Sequence, residues 1–157
     1  MSHPVTLHVA EWLNTERPLA LEDFRGKVVA IEVFQMLCPG CVMHGLPQAG
    51  RIAAAFDPAE VAVIGLHSVF EHHAANGRDT LAAFLYEWRI RFPVAIDAPG
   101  DGALPRTMQA WQLQGTPTLV LIDAAGRMRA RHFGQIGDLA LGAAIMSLLR
   151  DARDTRG

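Results

Sequence analysis

A chain of 157 residues, half of them hydrophobic and 19% charged, has the size and composition of one globular domain, which excludes disordered, collagen-like and low-complexity classes. Fourteen basic residues against sixteen acidic ones leave a formal charge of −2, so a nucleic-acid partner is not expected. The longest apolar runs, 118–122 and 139–146, fall short of the roughly 18–20 residues that a bilayer helix needs, so no membrane partner is expected either.

Residues 1–15 show no basic leader followed by an apolar block and a small-residue cleavage site, and the expected location is the cytoplasm. No internal repeat, charge block or flexible linker divides the chain, so one domain over residues 1–157 is expected. The first predicted element is a strand over 27–34, a β-branched and nearly continuous apolar run of the kind covered on both faces. From Pro39 to about Phe56 the pattern turns helical, helped by Ala53, Ala54 and Ala55, and Asp57-Pro58 stops it. Val61–Leu66 reads as a second short buried strand. After a polar loop, Asp79 is placed to cap a helix whose apolar positions are Leu81, Phe84, Leu85 and Trp88.

Phe92–Ile96 reads as a strand ended by the turn-rich segment 97–102, and Leu104–Leu113 as a short helix. Thr118–Ile122 is a strand of β-formers, followed by a hairpin turn at 123–126. Arg127–Phe133 alternates basic and apolar residues like an edge strand with one solvated face. Asp138 begins a last helix with Leu141, Ile145, Leu148 and Leu149 inward. Trp12, Trp88, Trp111 and Phe84 are expected to fill the core or seal its edges. Strands and helices that alternate and then close with a hairpin and a helix predict an α/β domain with a mixed sheet.

Only two cysteines exist, and both fall in the tetrapeptide Cys38-Pro39-Gly40-Cys41. A disulfide scaffold would spread its cysteines along the chain, and a Cys₄ zinc site would need two more. The pair meets only if the backbone curls, as it does where a strand end feeds the first turn of a helix. Pro39 suits the first helical position. There the Cys38 sulfur lies beside unpaired backbone N–H groups and the positive end of the helix dipole, which favours thiolate over thiol. Cys41, one turn further and more buried, suits a resolving thiol. The chemistry expected is attack by Cys38 on a disulfide and release when Cys41 attacks the mixed disulfide. Glu32 interrupts the apolar strand six residues before Cys38. A buried acid there would be desolvated and able to trade protons with the resolving thiol, whereas the plainer reading lets that strand face reach water.

Taken together these residues resemble the thioredoxin-like superfamily and, within it, the TlpA-like or redoxin branch. The resemblance rests on Leu19–Lys27 ahead of a Val-rich strand, on Cys38-Pro39-Gly40-Cys41, on Gly115-Thr116-Pro117-Thr118 and on Asp123–Arg127. It implies a thioredoxin-like fold, a thiol–disulfide oxidoreductase without a cofactor, and two kinds of partner: a protein or small-molecule disulfide or thiol, and a second redox protein. It also implies Cys38 as nucleophile, Cys41 as resolving thiol, Glu32 as the buried acid, and Pro117 as a cis-proline. Thr116 would pair with an extended substrate, alongside Leu37, Pro39 and Gly40.

The chain departs from the pattern in places. Leu37 stands where thioredoxins usually carry Trp, and Pro47 falls one residue later than the family's helix-kinking proline. A peroxiredoxin-like peroxidase is the alternative within enzymes, but Ile31 and Gln35 occupy the positions of its Pro and Thr. A copper carrier is the alternative from another class, with His44, His67, His72, His73, Met36 and Met43 gathering near Cys38. Against it, His44 can simply cover a helix flank and His72-His73 can lie in a solvated loop.

Overall fold

The computed structural model describes residues 3–156. Its centre is a six-stranded mixed sheet ordered β1-β4-β3-β2-β5-β6, built from β1 (Val9–Leu13), β2 (Val28–Phe34), β3 (Val61–His67), β4 (Val94–Asp97), β5 (Thr118–Ile122) and β6 (Met128–Phe133). Strands β2, β3 and β4 run parallel, whereas β5 is antiparallel to β2, β6 to β5 and β1 to β4. All seven residues of β2 are buried, which is why that segment reads as an unbroken apolar run rather than an alternating one. The hairpin and the edge position of β6 follow the expectation.

Helices cover both faces. On one face Val28, Ala30, Leu119 and Leu121 pack against Ala49 and Ile52 of α1 (Leu46–Ala55) and Leu141, Ile145, Leu148 and Leu149 of α4 (Asp138–Arg156). Leu81 and Leu85 of α2 (Arg78–Glu87) extend that layer over Phe34, Cys41 and Leu46. The opposite face buries Val29, Ile31, Val33, Val120 and Ile122 beneath Leu21, Met108 and Trp111, the last two from α3 (Arg106–Ala110) and its end. Each such aliphatic side chain contributes about 1.5–3 kcal/mol when fully buried.

Strand β1 was not among the predicted elements. Only Leu13 of it is buried and its pairing is irregular between Val9 and Glu11, so it lacks a periodic signature. The predicted helix over 104–113 shrinks to α3, and the strand predicted over 92–96 shifts to β4. Gly77, not Asp79, caps α2: its carbonyl accepts the Leu81 N–H, and Asp79 sits solvent-exposed in the first turn. Trp88 is no core residue, being 59% exposed where the helix ends and Arg89 turns to positive φ. Trp111 is buried as expected. Among the described residues no helix is long and apolar enough to cross a membrane.

Gly65 of β3 lies where the sheet leaves little room for a side chain. It pairs with Glu32 on one side and Val94 on the other. A Cβ there would meet Val94 Cγ2 at 3.1 Å and the Phe34 and Phe92 rings at 3.2 Å. Gly65→Ala is expected to cost about 1–3 kcal/mol through overpacking. Urea unfolding would show this as a lowered midpoint with an unchanged slope.

Candidate active site

Strand β2 ends at Phe34, and a turn over 35–38 delivers Cys38 to the start of a helix. The helix opens at Pro39, as predicted, but does not continue as a regular α-helix. Over Cys41–Gly45 it widens into a π-helical turn, closed by the Leu46 N–H donating to Cys41 O, before α1 begins. Pro47 supplies the reason: it has no N–H to give Met43 O, and its ring would crowd that carbonyl in a regular helix. A π turn inserts one residue, which accommodates a proline placed one position late.

The two sulfurs differ in exposure. Cys38 is partly exposed and Cys41 fully buried, and both are free thiols. The Cys41 N–H donates to Cys38 Sγ at 3.2 Å, while the Cys41 and Val42 N–H groups both reach Cys38 O at 3.1 Å. Burial pushes the Cys41 thiol well above the ordinary range. Its contact with Cys38 raises it further, and contacts with the Gln35 backbone and Thr116 act the other way.

Glu32 lies beneath this turn. It is 1% exposed, so the reading in which its strand face reaches water is excluded. Its Oε1 is buried without a hydrogen-bond partner. Burial, and secondarily the negative charge of Cys38, hold its carboxyl well above the usual carboxylate range. Gly45 makes room for it, since a Cβ at that position would overlap the Glu32 carboxylate and come within 3.1 Å of Pro117 Cβ. Pro117 follows a cis peptide bond from Thr116, and its ring packs under the helix start, where a Cβ on Gly40 would meet Pro117 Cδ at 3.2 Å. Glu32, Cys38, Cys41, Thr116 and Pro117 therefore converge, with Leu37 (58% exposed), Pro39 and Gly40 forming the outer rim. Gly45 escaped the sequence reading. Its signal was a glycine inside a helical segment, a choice that weakens the helix unless another group comes close.

The other candidates go elsewhere. His67 closes β3 and packs against Phe34 with the rings tilted by 46° and their centroids 5.2 Å apart, and burial pushes its pKa down to about 4. His44, His72 and His73 are exposed, as is Met43, while Met36 is buried. No group of three or more His, Cys, Asp or Glu side chains gathers as a metal site among the described residues, and His44, His72 and His73 lie exposed as the plainer reading has them. Gln35, at the position of the peroxidase threonine, is buried. Its Oε1 accepts the N–H of Phe70 at 3.1 Å and of Glu71 at 3.4 Å, so the side chain holds a loop instead of facing a substrate.

A central mixed sheet with a Cys-x-x-Cys helix start facing a cis-proline is the arrangement of thioredoxin-like proteins. No family model matches the chain. It is 58% identical to the crystal structure of a thioredoxin-like superfamily protein, over 92% of this chain and 94% of that one, with a TM-score of 0.91. It is 50% identical to a thiol-disulfide isomerase from Corynebacterium glutamicum, covering 94% and 96% of the two chains at a TM-score of 0.91. NHL repeat-containing protein 2 of Bos taurus is 31% identical over 127 residues, which are 80% of this chain and 16% of that protein. The chain thus spans about a sixth of the length of that curated relative. It belongs to the thioredoxin-like superfamily.

The buried acid makes stability depend on pH. Because the folded carboxyl holds its proton to higher pH than the unfolded one, the native state loses stability as pH climbs above the ordinary value of 4.5. Glu32→Gln is expected to be more stable than the native chain at pH 8, because the neutral amide has no ionisation for burial to oppose; the gain is about 1.4 kcal/mol for each pH unit over which the folded carboxyl alone keeps its proton. The gain should fade toward pH 4.5. Urea unfolding of both proteins at pH 5 and pH 8 checks the difference.

Proposed function

We propose that the protein is a thiol–disulfide oxidoreductase that cycles between the Cys38–Cys41 dithiol and disulfide. The observation that carries this reading is the pairing of a partly exposed Cys38 sulfur, held by the Cys41 N–H, with a buried Cys41 thiol above an unpartnered Glu32 carboxyl. The kinship with a thiol-disulfide isomerase at 50% identity over nearly the full chain supports it.

The Cys38 thiolate attacks one sulfur of a substrate disulfide. A mixed disulfide forms and the first substrate thiolate leaves. The charge-assisted hydrogen bond from the Cys41 amide stabilises the sulfur's negative charge before attack. Cys41 then loses its proton to the Glu32 carboxylate and attacks Cys38 Sγ. That step forms the Cys38–Cys41 bond and releases the second substrate thiolate. Two electrons pass from the protein to the substrate, and the reverse sequence oxidises a dithiol. Burial of Cys41 disfavours its thiolate, so a proton acceptor at Glu32 is what makes the second step accessible at neutral pH.

The partners this chemistry needs are a protein or small-molecule disulfide or thiol and a second redox pair that resets the first. Leu37, Pro39, Gly40, Thr116 and Pro117 would bind the substrate at the rim. Exposed Leu37 offers an aliphatic surface in place of an aromatic one.

Substitutions separate the two thiols. Cys38→Ser should lower disulfide-exchange turnover by at least about a thousandfold, because the hydroxyl is neither ionised nor comparably nucleophilic at neutral pH. Cys41→Ser should instead accumulate a mixed disulfide, seen as a mass increase that a reducing agent removes. Undiminished turnover in Cys38→Ser would overturn the assignment.

A further inference from the structure

Helices α1 and α2 cover the same face of the sheet, and the space between them is not filled by the chain. It forms a groove of about 590 Å³, within the range of about 300–1,000 Å³ typical of small-molecule sites. One side is the stripe Val42, Leu46, Gly50 and Ala53, which recurs at helical spacing. The other side is aromatic: Phe84 and Trp88, with ring centroids 6.1 Å apart, and Phe92.

Charge is confined to one end, where Arg89 and Arg91 join α2 to β4. Strand β4 runs parallel to β3 and β3 to β2, so these arginines lie before its amino-terminal end, opposite the edge where β2 delivers Cys38. Val42, the residue after Cys41, marks the other end. From Val42 to Ala53 is eleven positions, roughly 16 Å at about 1.5 Å per residue. Neither arginine forms an ion pair among the described residues, and no carboxylate lines the groove.

Two local choices keep the groove open and its end charged, each against helix preference. Gly50 stands inside α1, where only proline is a poorer helix former, yet a Cβ there meets nothing within 4 Å, so no internal contact calls for a glycine. Arg89 closes α2 in the left-handed region at φ 57°, the position that glycine usually takes. Its N–H donates to Tyr86 O at 3.1 Å, and the Ile90 N–H donates to Leu85 O at 2.9 Å. A glycine would make both bonds with less strain and would leave no guanidinium beside the groove.

We propose that this groove binds a small apolar organic acid, its acyl or aromatic body between α1 and α2 and its anionic head at Arg89 and Arg91. Burial of the body against Leu46, Phe84 and Trp88 supplies affinity, and charge-assisted hydrogen bonds from two guanidinium groups select the head. A second copy seated two-fold on the same patch would leave both pairs of arginines without a counter-charge. The site is separate from the rim around Cys38, and binding there does not depend on the disulfide chemistry.

The test is a calorimetric titration of the full chain with sodium decanoate below its micelle concentration. Decanoate should bind saturably at one site per chain. Decyltrimethylammonium, with the same tail and the opposite charge, should bind at least about tenfold more weakly, because like charges then meet at the groove's end. The double variant Arg89→Gln, Arg91→Gln should weaken decanoate binding about tenfold or more. Gly50→Leu should fill the groove and abolish binding, whereas Gly50→Ala should retain it; both should keep native disulfide-exchange turnover. Unsaturable uptake, equal affinity for decyltrimethylammonium, or unchanged decanoate binding in Gly50→Leu or in the arginine variant overturns the proposal. Self-association of the native chain that Gly50→Leu abolishes, with no decanoate bound, would give the groove to a second copy instead. Should Gly50→Leu not fold, as judged by circular dichroism, Ala53→Leu carries the same comparison, since Ala53 is exposed on the same side of the groove.

Discussion

The structure is organised around one unfavourable burial, the Glu32 carboxyl enclosed in the middle of β2 with an oxygen that no protein group satisfies. Its immediate surroundings are arranged to tolerate it. Gly65 and Leu119 flank it in the sheet, Gly45 passes over it without a side chain, and Pro117 closes the side. An unpartnered polar group in a core costs about 1–3 kcal/mol, so a chain that retains one does so against its own stability. A hydrophobic residue at 32 would pack into the same layer as Val28 and Ala30. On the proposed reading the acid is retained for its chemistry, beside the buried Cys41 thiol whose protonation must change.

The π turn over Cys41–Gly45 connects this burial to the thiols. Pro47 removes a helix donor, the ladder widens by a residue, and Gly45 rather than a bulkier neighbour lies against the carboxylate. The Cys41 amide lies in the first turn of the helix, where it is shared between Cys38 Sγ and Cys38 O. One proline therefore bears on the helix geometry and on the space above the acid.

Much of this was legible in the residues. The buried run of β2, the position of Cys38 and Cys41 at a helix start, the acid six residues earlier and the closing hairpin each carry a local signal of composition or spacing. The cis bond at Pro117 came only through family resemblance, since nothing local distinguishes it from other X–Pro bonds. Other features depend on tertiary neighbours. Strand β1 exists because β4 offers it an edge, and Trp88 faces solvent because Arg89 turns the chain away. The histidines scatter because β3 buries His67 while the loop beyond it exposes His72 and His73. Gln48 and Arg51 tie α1 to Asp138, some ninety positions later, a juxtaposition no window of sequence contains.

The account stands on Cys38 and Cys41 acting as one reversible two-electron couple. The direct measurement is an equilibrium titration in thiol buffers of graded potential, with alkylation and mass analysis counting free thiols at each point. Both thiols should disappear together, over a transition in which each tenfold change in the reduced-to-oxidised ratio spans about 30 mV, and both should return when the buffer is reversed. Independent modification of the two cysteines, or no intramolecular disulfide at any potential, would contradict it.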